Sequence, residues 1–177
     1  AGAAIEGRIR TEGRTGRFVQ GDVTAHGFPE RLKDDVLGQE GRIDVLVNND
    51  GILSRSNTAD CTDAEWDAVI ATNLTAVFQL CRAVVPVMRR QFKEDGRAGA
   101  IVNIASDWAV VGAHNGVAYG ASKGAIAQLT RSMAVDHAKD GIRVNAVCPG
   151  DTETDMLLSG RGDENRENVL RRLGQAI

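Results

Sequence analysis

Four short apolar runs, separated by longer stretches of mixed polarity, divide this chain. RFVQGDV (17–23), IDVLVNN (43–49), AIVNIAS (100–106) and IRVNAV (142–147) have strand length and strand composition. IDVLVNN is apolar almost throughout, the pattern of a parallel strand covered on both faces. Between the runs lie helical patterns. PERLKDDVLGQEG (29–41) reads as an amphipathic helix, and a long helix is expected from Thr62 to about Phe92, opened by the capping box TDAE with Thr62 and Glu65. Pro86 inside it should kink the helix or remove a hydrogen bond. The middle of that helix, AVFQLCRAVVPVM (76–88), is short for a membrane span and contains Arg82, so it reads as a packed helix. KEDGRAG is a turn, and a further helix is expected from about Val117 to Lys139. Strand and helix alternate, which predicts a single α/β domain with a parallel sheet. No internal repeat, linker or low-complexity tract interrupts it.

Composition narrows the class. A chain of 177 residues is long enough to bury its own core, and 42% hydrophobic with 25% charged residues is ordinary for a soluble protein. A net charge of −3 argues against a nucleic-acid partner. Arg8, Arg10, Arg14 and Arg17 cluster, but Glu6 and Glu12 interleave with them, so a solvated helix face is expected. Cys61, Cys81 and Cys148 are widely spaced with no CxxC, which suits buried thiols in a reducing, cytoplasmic compartment. None of the three histidines is paired at ligand spacing, so no structural metal is expected.

Candidate chemistry lies in AYGASKGA. Tyr119 and Lys123 stand four residues apart, on one face of a helix. A free phenol has a pKa near ~10, and a cation beside it favours the phenolate and pulls that value down. Ser106, delivered by a strand end, would hold a substrate oxygen against the phenol. Such a set moves a proton on or off an alcohol or ketone; the competing reading is a surface tyrosine beside a solvated lysine.

The order of several short pieces decides between them. GDV (21–23), NNDG (48–51), Asn73, Ser106, Tyr119 with Lys123, and PGDTET (149–154) together resemble the short-chain dehydrogenase/reductase family. The resemblance implies a Rossmann-like doubly wound parallel sheet and an oxidoreductase that interconverts a secondary alcohol and a ketone with NAD or NADP. It implies that Tyr119 is the general acid/base, that Ser106 polarises the substrate oxygen, that Lys123 lowers the tyrosine pKa and bonds the nicotinamide ribose, and that Asn73 holds a water in the proton relay. It places Asp22 and Val23 against the adenine, Asn49 and Gly51 near the cofactor, Pro149 and Gly150 beside the nicotinamide, and Thr152 and Thr154 on its carboxamide. PGDTETDM is similar to 3-oxoacyl-carrier-protein reductases, and sugar and polyol dehydrogenases share such stretches. The family also implies a homodimer or homotetramer joined through the helices at 62–92 and 117–139, with Ala76, Val77, Leu80, Val84, Met88 and Ala121, Ala125, Leu129, Met133 as the apolar faces. SGRGDENREN (159–168) matches the variable substrate lid that opens the region 159–177.

Two features depart from the family. The glycines at 7, 13 and 16 do not follow an apolar strand, so they do not form the phosphate-binding glycine turn. The chain therefore reads as a partial domain, 1–177, lacking an N-terminal glycine-rich βαβ unit and a C-terminal strand. Asp50 stands where the family has alanine, and an unpaired negative charge near a dinucleotide has the wrong sign for binding. These departures support an alternative: a non-catalytic chain that keeps the fold and self-association but binds cofactor poorly.

Overall fold

The computed structural model describes residues 2–158 and 166–174. Its elements are α1 (Gly2–Thr11), α2 (Phe28–Glu40), β1 (Val45–Asn48), α3 (Asp63–Ile70), α4 (Ala76–Asp95), β2 (Gly99–Ile104), α5 (Val117–His137), β3 (Ile142–Val147), α6 (Asp155–Leu158) and α7 (Arg166–Gly174). Residues 159–165 and 175–177 of the expected lid region lie outside the described residues.

The fold is α/β. The three strands are parallel and lie in the order β1-β2-β3, with Leu46 opposite Ile101 and Ile101 opposite Val144. That is one half of the doubly wound plan, in which successive strands are laid down in one direction. Crossovers of one hand, all running the same way, put their helices on one face. The burial of the strands follows from this. Ile101, Asn103, Ile142 and Val144 point into the helical layer and are buried, together with Val77, Cys81, Val84 and Met88 of α4 and Ile126 and Met133 of α5. Alternate residues on the other face are open: Val45 is 59% exposed and Val47 55%. The two-sided covering expected for 43–49 is thus corrected to one-sided covering.

Residues 17–23 form no strand. A strand needs a hydrogen-bonding neighbour, and none of β1, β2 and β3 pairs with this segment. The segment instead crosses α2, where Arg17 pairs with Asp35. On α1 Arg10 pairs with Glu6, as the solvated arginine face requires.

The long helix begins with the expected capping box: the Thr62 hydroxyl accepts from the Glu65 N–H at 3.1 Å, and the Glu65 carboxylate accepts from the Thr62 N–H at 3.1 Å. Its irregularity is not at Pro86. α4 runs through Pro86, whose exposed position lets water take the place of the missing donor. The break is a π turn, Ala71–Thr75, between α3 and α4. The whole run Asp63–Asp95 is long and apolar enough by composition to cross a bilayer. Its apolar side chains nevertheless meet the sheet: Cys81 is 2% exposed and Met88 fully buried. For the same reason Ala76, Val77, Val84, Met88 and Met133, expected on an association face, belong to the core, while Phe78 and Trp66 on the same helical run are exposed.

Candidate active site

All three strands end at one cleft. Parallel strands present their C-terminal ends together, and the loops that follow supply the ligand groups. A cavity of about 350 Å³ opens there. Among the residues expected from sequence, Asn49, Gly51, Ser106, Tyr119, Lys123, Pro149, Gly150, Thr152 and Thr154 line it. Asn73 stands behind that wall, and Asp22 and Val23 are not part of it.

Asn73 is 1% exposed and sits in the π turn. Single π turns are rare, and they free side chains for contacts outside the helix. Asn73 Oδ1 accepts from the Ile52 N–H at 2.8 Å, and its Nδ2 donates to the Ile52 carbonyl at 2.9 Å and to Ser122 Oγ at 3.2 Å. One amide therefore ties the segment after β1 to α5. Ser122, fully buried, donates from its hydroxyl to the Tyr119 carbonyl at 2.7 Å. Gly51 lies against this pair. A Cβ at Gly51 would stand 3.3 Å from Asn73 Oδ1 and 3.7 Å from Lys123 Nζ, so the absent side chain keeps the space between amide and ammonium open. Asn48, the other half of the Asn-Asn pair, is structural. It donates to Asn103 Oδ1 at 2.8 Å, and Asn103 donates to Thr130 Oγ1 at 2.9 Å, a buried polar row from β1 through β2 to α5 in which Asn48 Oδ1 is left without a partner.

Tyr119 and Lys123 share one face of α5 and look into the cleft. The ammonium lies 5.5 Å from the centre of the phenol ring. Trp108 meets that ring edge-on, with centroids 5.4 Å apart and planes at 89°. Gly116 makes room for Trp108, since a Cβ there would fall 2.7 Å from the indole. Lys123 is 5% exposed and donates to the Ile104 carbonyl at 2.6 Å. Only one of its three protons is spent there, leaving donors for the hydroxyls of a ribose or a water. Ser106 donates to Asp107 Oδ1 at 2.8 Å and accepts from the Trp108 N–H at 3.2 Å.

The electrostatics differ from the sequence expectation. Burial pushes the Tyr119 phenol above its ordinary value, the Ser106 hydroxyl works against that, and the Asp107 charge adds to it. The phenol is thus raised where the sequence predicts a lowered value, with the Lys123 ammonium bonded to the Ile104 carbonyl. Burial lowers Lys123 itself, and Asp50 opposes that shift. Asp50 is therefore not an isolated charge of the wrong sign. Its carboxylate accepts from the Gly51 N–H at 3.0 Å and lies within Coulombic reach of Lys123.

Asp22 is held in a local turn, accepting from the Thr24 N–H at 2.8 Å and the Thr24 hydroxyl at 2.7 Å; those bonds hold its carboxyl below the usual range. Thr152 and Thr154 are exposed on the far wall, their hydroxyls donating to the Gly150 carbonyl at 3.2 Å and the Thr152 carbonyl at 3.3 Å. Several lining residues had no signal in sequence: Leu53, Arg55, Asp107, Trp108 and Leu157. They come from loops and from α6, where neither period nor motif marks a position. Arg55 reaches the Leu157 carbonyl at 3.4 Å and so links the segment after β1 to α6 across the opening. The Asp107 and Trp108 pair was missed because the reading of AIVNIAS stopped at its serine.

A family model described as short chain dehydrogenase matches residues 1–165. The chain is 45% identical over 162 residues to a 2-(R)-hydroxypropyl-CoM dehydrogenase of Xanthobacter autotrophicus, covering 89% of this chain and 62% of that protein. It is 40% identical over 148 residues to a cyclopentanol dehydrogenase of a Comamonas species, covering 84% of this chain and 57% of the relative. Among solved structures, a gluconate 5-dehydrogenase from Burkholderia cenocepacia in complex with NADP and tartrate superposes with a TM-score of 0.81 at 31% identity, over 90% of this chain and 62% of that one. The chain thus spans little more than half the length of the curated relatives it matches.

Proposed function

The chain belongs to the short-chain dehydrogenase family, and we propose that it carries the catalytic half of an oxidoreductase that interconverts a secondary alcohol and a ketone with NAD or NADP. The observation that carries this reading is the meeting of Tyr119, Lys123 and Ser106 at one cleft, at the C-terminal ends of three parallel strands. The names of the relatives, two dehydrogenases of secondary alcohols and a gluconate dehydrogenase, support the same reaction class.

When bound, the nicotinamide supplies or accepts the hydride. The protein's own residues handle the proton. In ketone reduction the Tyr119 O–H gives its proton to the substrate oxygen, and in alcohol oxidation the phenolate takes it back. Positioned proton transfer of this kind is worth about 10²–10⁴-fold. Ser106 bonds the same oxygen and fixes its place over the phenol. Lys123 has donors to spare for the ribose, and the open space beside Gly51 gives room for a water between Asn73 and Lys123. Asn49, Gly51, Pro149, Gly150, Thr152 and Thr154 would flank the nicotinamide side; Asp22 and Val23 would meet the adenine.

The apolar lining from Leu53, Trp108, Met156 and Leu157 suits a small substrate with a largely hydrocarbon body. Self-association through the α3–α4 and α5 helices forms part of the proposal, carried by exposed Trp66 and Phe78. Of the three free thiols only Cys81 is buried, against the expectation for all three, Cys61 being half-buried and Cys148 exposed; an exposed free thiol supports a reducing, cytoplasmic location.

Tyr119→Phe tests the assignment. Turnover of a panel of secondary alcohols, followed by nicotinamide absorbance, should fall more than tenfold while cofactor affinity and folding hold. A variant that keeps more than about a tenth of the rate would remove tyrosine from the role. A chain that folds but shows no turnover before substitution would support the non-catalytic alternative.

A further inference from the structure

We propose that Asp107 is a positioning residue of this site: its carboxylate accepts the hydrogen bond of the Ser106 hydroxyl, and its charge holds Tyr119 as the neutral phenol. Asp107 opens the short turn 107–109, directly after β2 and Ser106. Its N–H donates to the Pro149 carbonyl at 3.0 Å, which anchors it between the loops that follow β2 and β3. Oδ1 accepts from Ser106 Oγ at 2.8 Å and from the Trp108 N–H at 2.9 Å. Oδ2 faces Gly150, where a Cβ would stand 3.9 Å away, on the cleft wall. Among the described residues no cation forms an ion pair with this carboxylate, so its charge reaches the cleft unneutralised.

Two effects then act in one direction. A negative charge beside a phenol disfavours the phenolate. Before substrate arrives, a Ser106 hydroxyl that donates to Asp107 is also withdrawn from the phenolate oxygen it would otherwise stabilise; a substrate oxygen then competes with Asp107 for that hydrogen bond. The charge raises the pH at which Tyr119 ionises, and the held hydroxyl weakens the lowering that Ser106 exerts; the phenol is raised first by its burial and then by the Asp107 charge. Resting on the dehydrogenase reading, the consequence is a shift in working pH. The tyrosine stays poised to give a proton to a ketone up to higher pH, and alcohol oxidation, which needs the phenolate, begins later. The overall equilibrium between alcohol and ketone is untouched.

The chain has one tyrosine, so the near-ultraviolet absorbance change on phenol ionisation reports Tyr119 alone. A pH-jump titration of this signal, read before any unfolding, needs neither cofactor nor turnover, and its result is independent of whether the chain is an active dehydrogenase. The other charged groups of the cleft are Lys123 on the same helix, Arg55 after β1 and Asp151 after β3, with Asp50 acting on Lys123. All remain in an Asp107→Asn variant, which keeps an oxygen for the Trp108 N–H. Its midpoint should fall by about half a unit or more, the shift that one charge at roughly 6 Å produces even in a water-like dielectric. Asp107→Glu, keeping the charge, should stay nearer the unsubstituted protein. If the Asn variant fails to fold by circular dichroism, Asp107→Ser should show the same fall. An unchanged or raised midpoint in the folded neutral variant overturns the proposal, and so does a Glu midpoint equal to the Asn one. An unsubstituted midpoint at or below that of free tyrosine, ~10, overturns it without any variant.

Discussion

Replacing Asn73 by alanine should loosen the segment after β1 from the rest of the site. The side chain is 1% exposed and makes three hydrogen bonds, two to the backbone of Ile52 and one to Ser122. Each is worth about 1 kcal/mol net, and a buried group left without its partner costs more. Ile52 is 40% exposed as a residue, so water reaches it once the amide is gone and limits the penalty. The expected loss is therefore about 2–3 kcal/mol. Asn73→Asp makes a sharper contrast. Its carboxylate still accepts from the Ile52 N–H but opposes the Ile52 carbonyl, so it should be at least as damaging at neutral pH. Burial and that carbonyl raise the folded pKa of the new carboxyl, so the deficit should shrink as pH falls and the group takes up a proton. Urea unfolding followed by Trp66 and Trp108 fluorescence gives the stabilities, and amide exchange at Ile52 gives the local effect. A loss in Asn73→Ala below about 0.5 kcal/mol, with Ile52 protection unchanged, would refute the account of Asn73 as a tie between segments.

Burial pushes the Cys81 thiol from 9.0 up to about 11, so its contribution to stability is complete below pH 9 and lost as pH rises through about 11. The stability difference between the protein and Cys81→Ala should shrink by about 2–3 kcal/mol over that window; a difference constant from about pH 8 to 11 would sink the argument. Light scattering at micromolar concentration should give a mass of at least a dimer, and Phe78→Asp should lower it; a clean monomer before substitution counts against association through these helices.

The elements were legible because their signals are local. Alternation of apolar runs with helical patterns, the capping box at Thr62 and the spacing of Tyr119 and Lys123 each depend only on neighbours in the chain, and the structure keeps all three. The family followed from an ordered set of short pieces, each weak alone. What the sequence could not decide were pairings between distant segments. RFVQGDV has a strand's composition and yet forms none, because a strand exists only beside another strand. IDVLVNN looks covered on both faces, but which face a helix covers is set by the direction in which the sheet is wound. The pattern of α4 shows an apolar stripe without saying whether the sheet or a second copy covers it, and packing gave Val84 and Met88 to the sheet. The tyrosine carries the clearest lesson. Spacing places a cation one turn away and predicts a lowered pKa, whereas the fold bonds that cation to the Ile104 carbonyl, half-buries the phenol and sets the Asp107 charge within reach of it. Charge and solvent act through space, and only the tertiary structure fixes which groups stand close enough to matter.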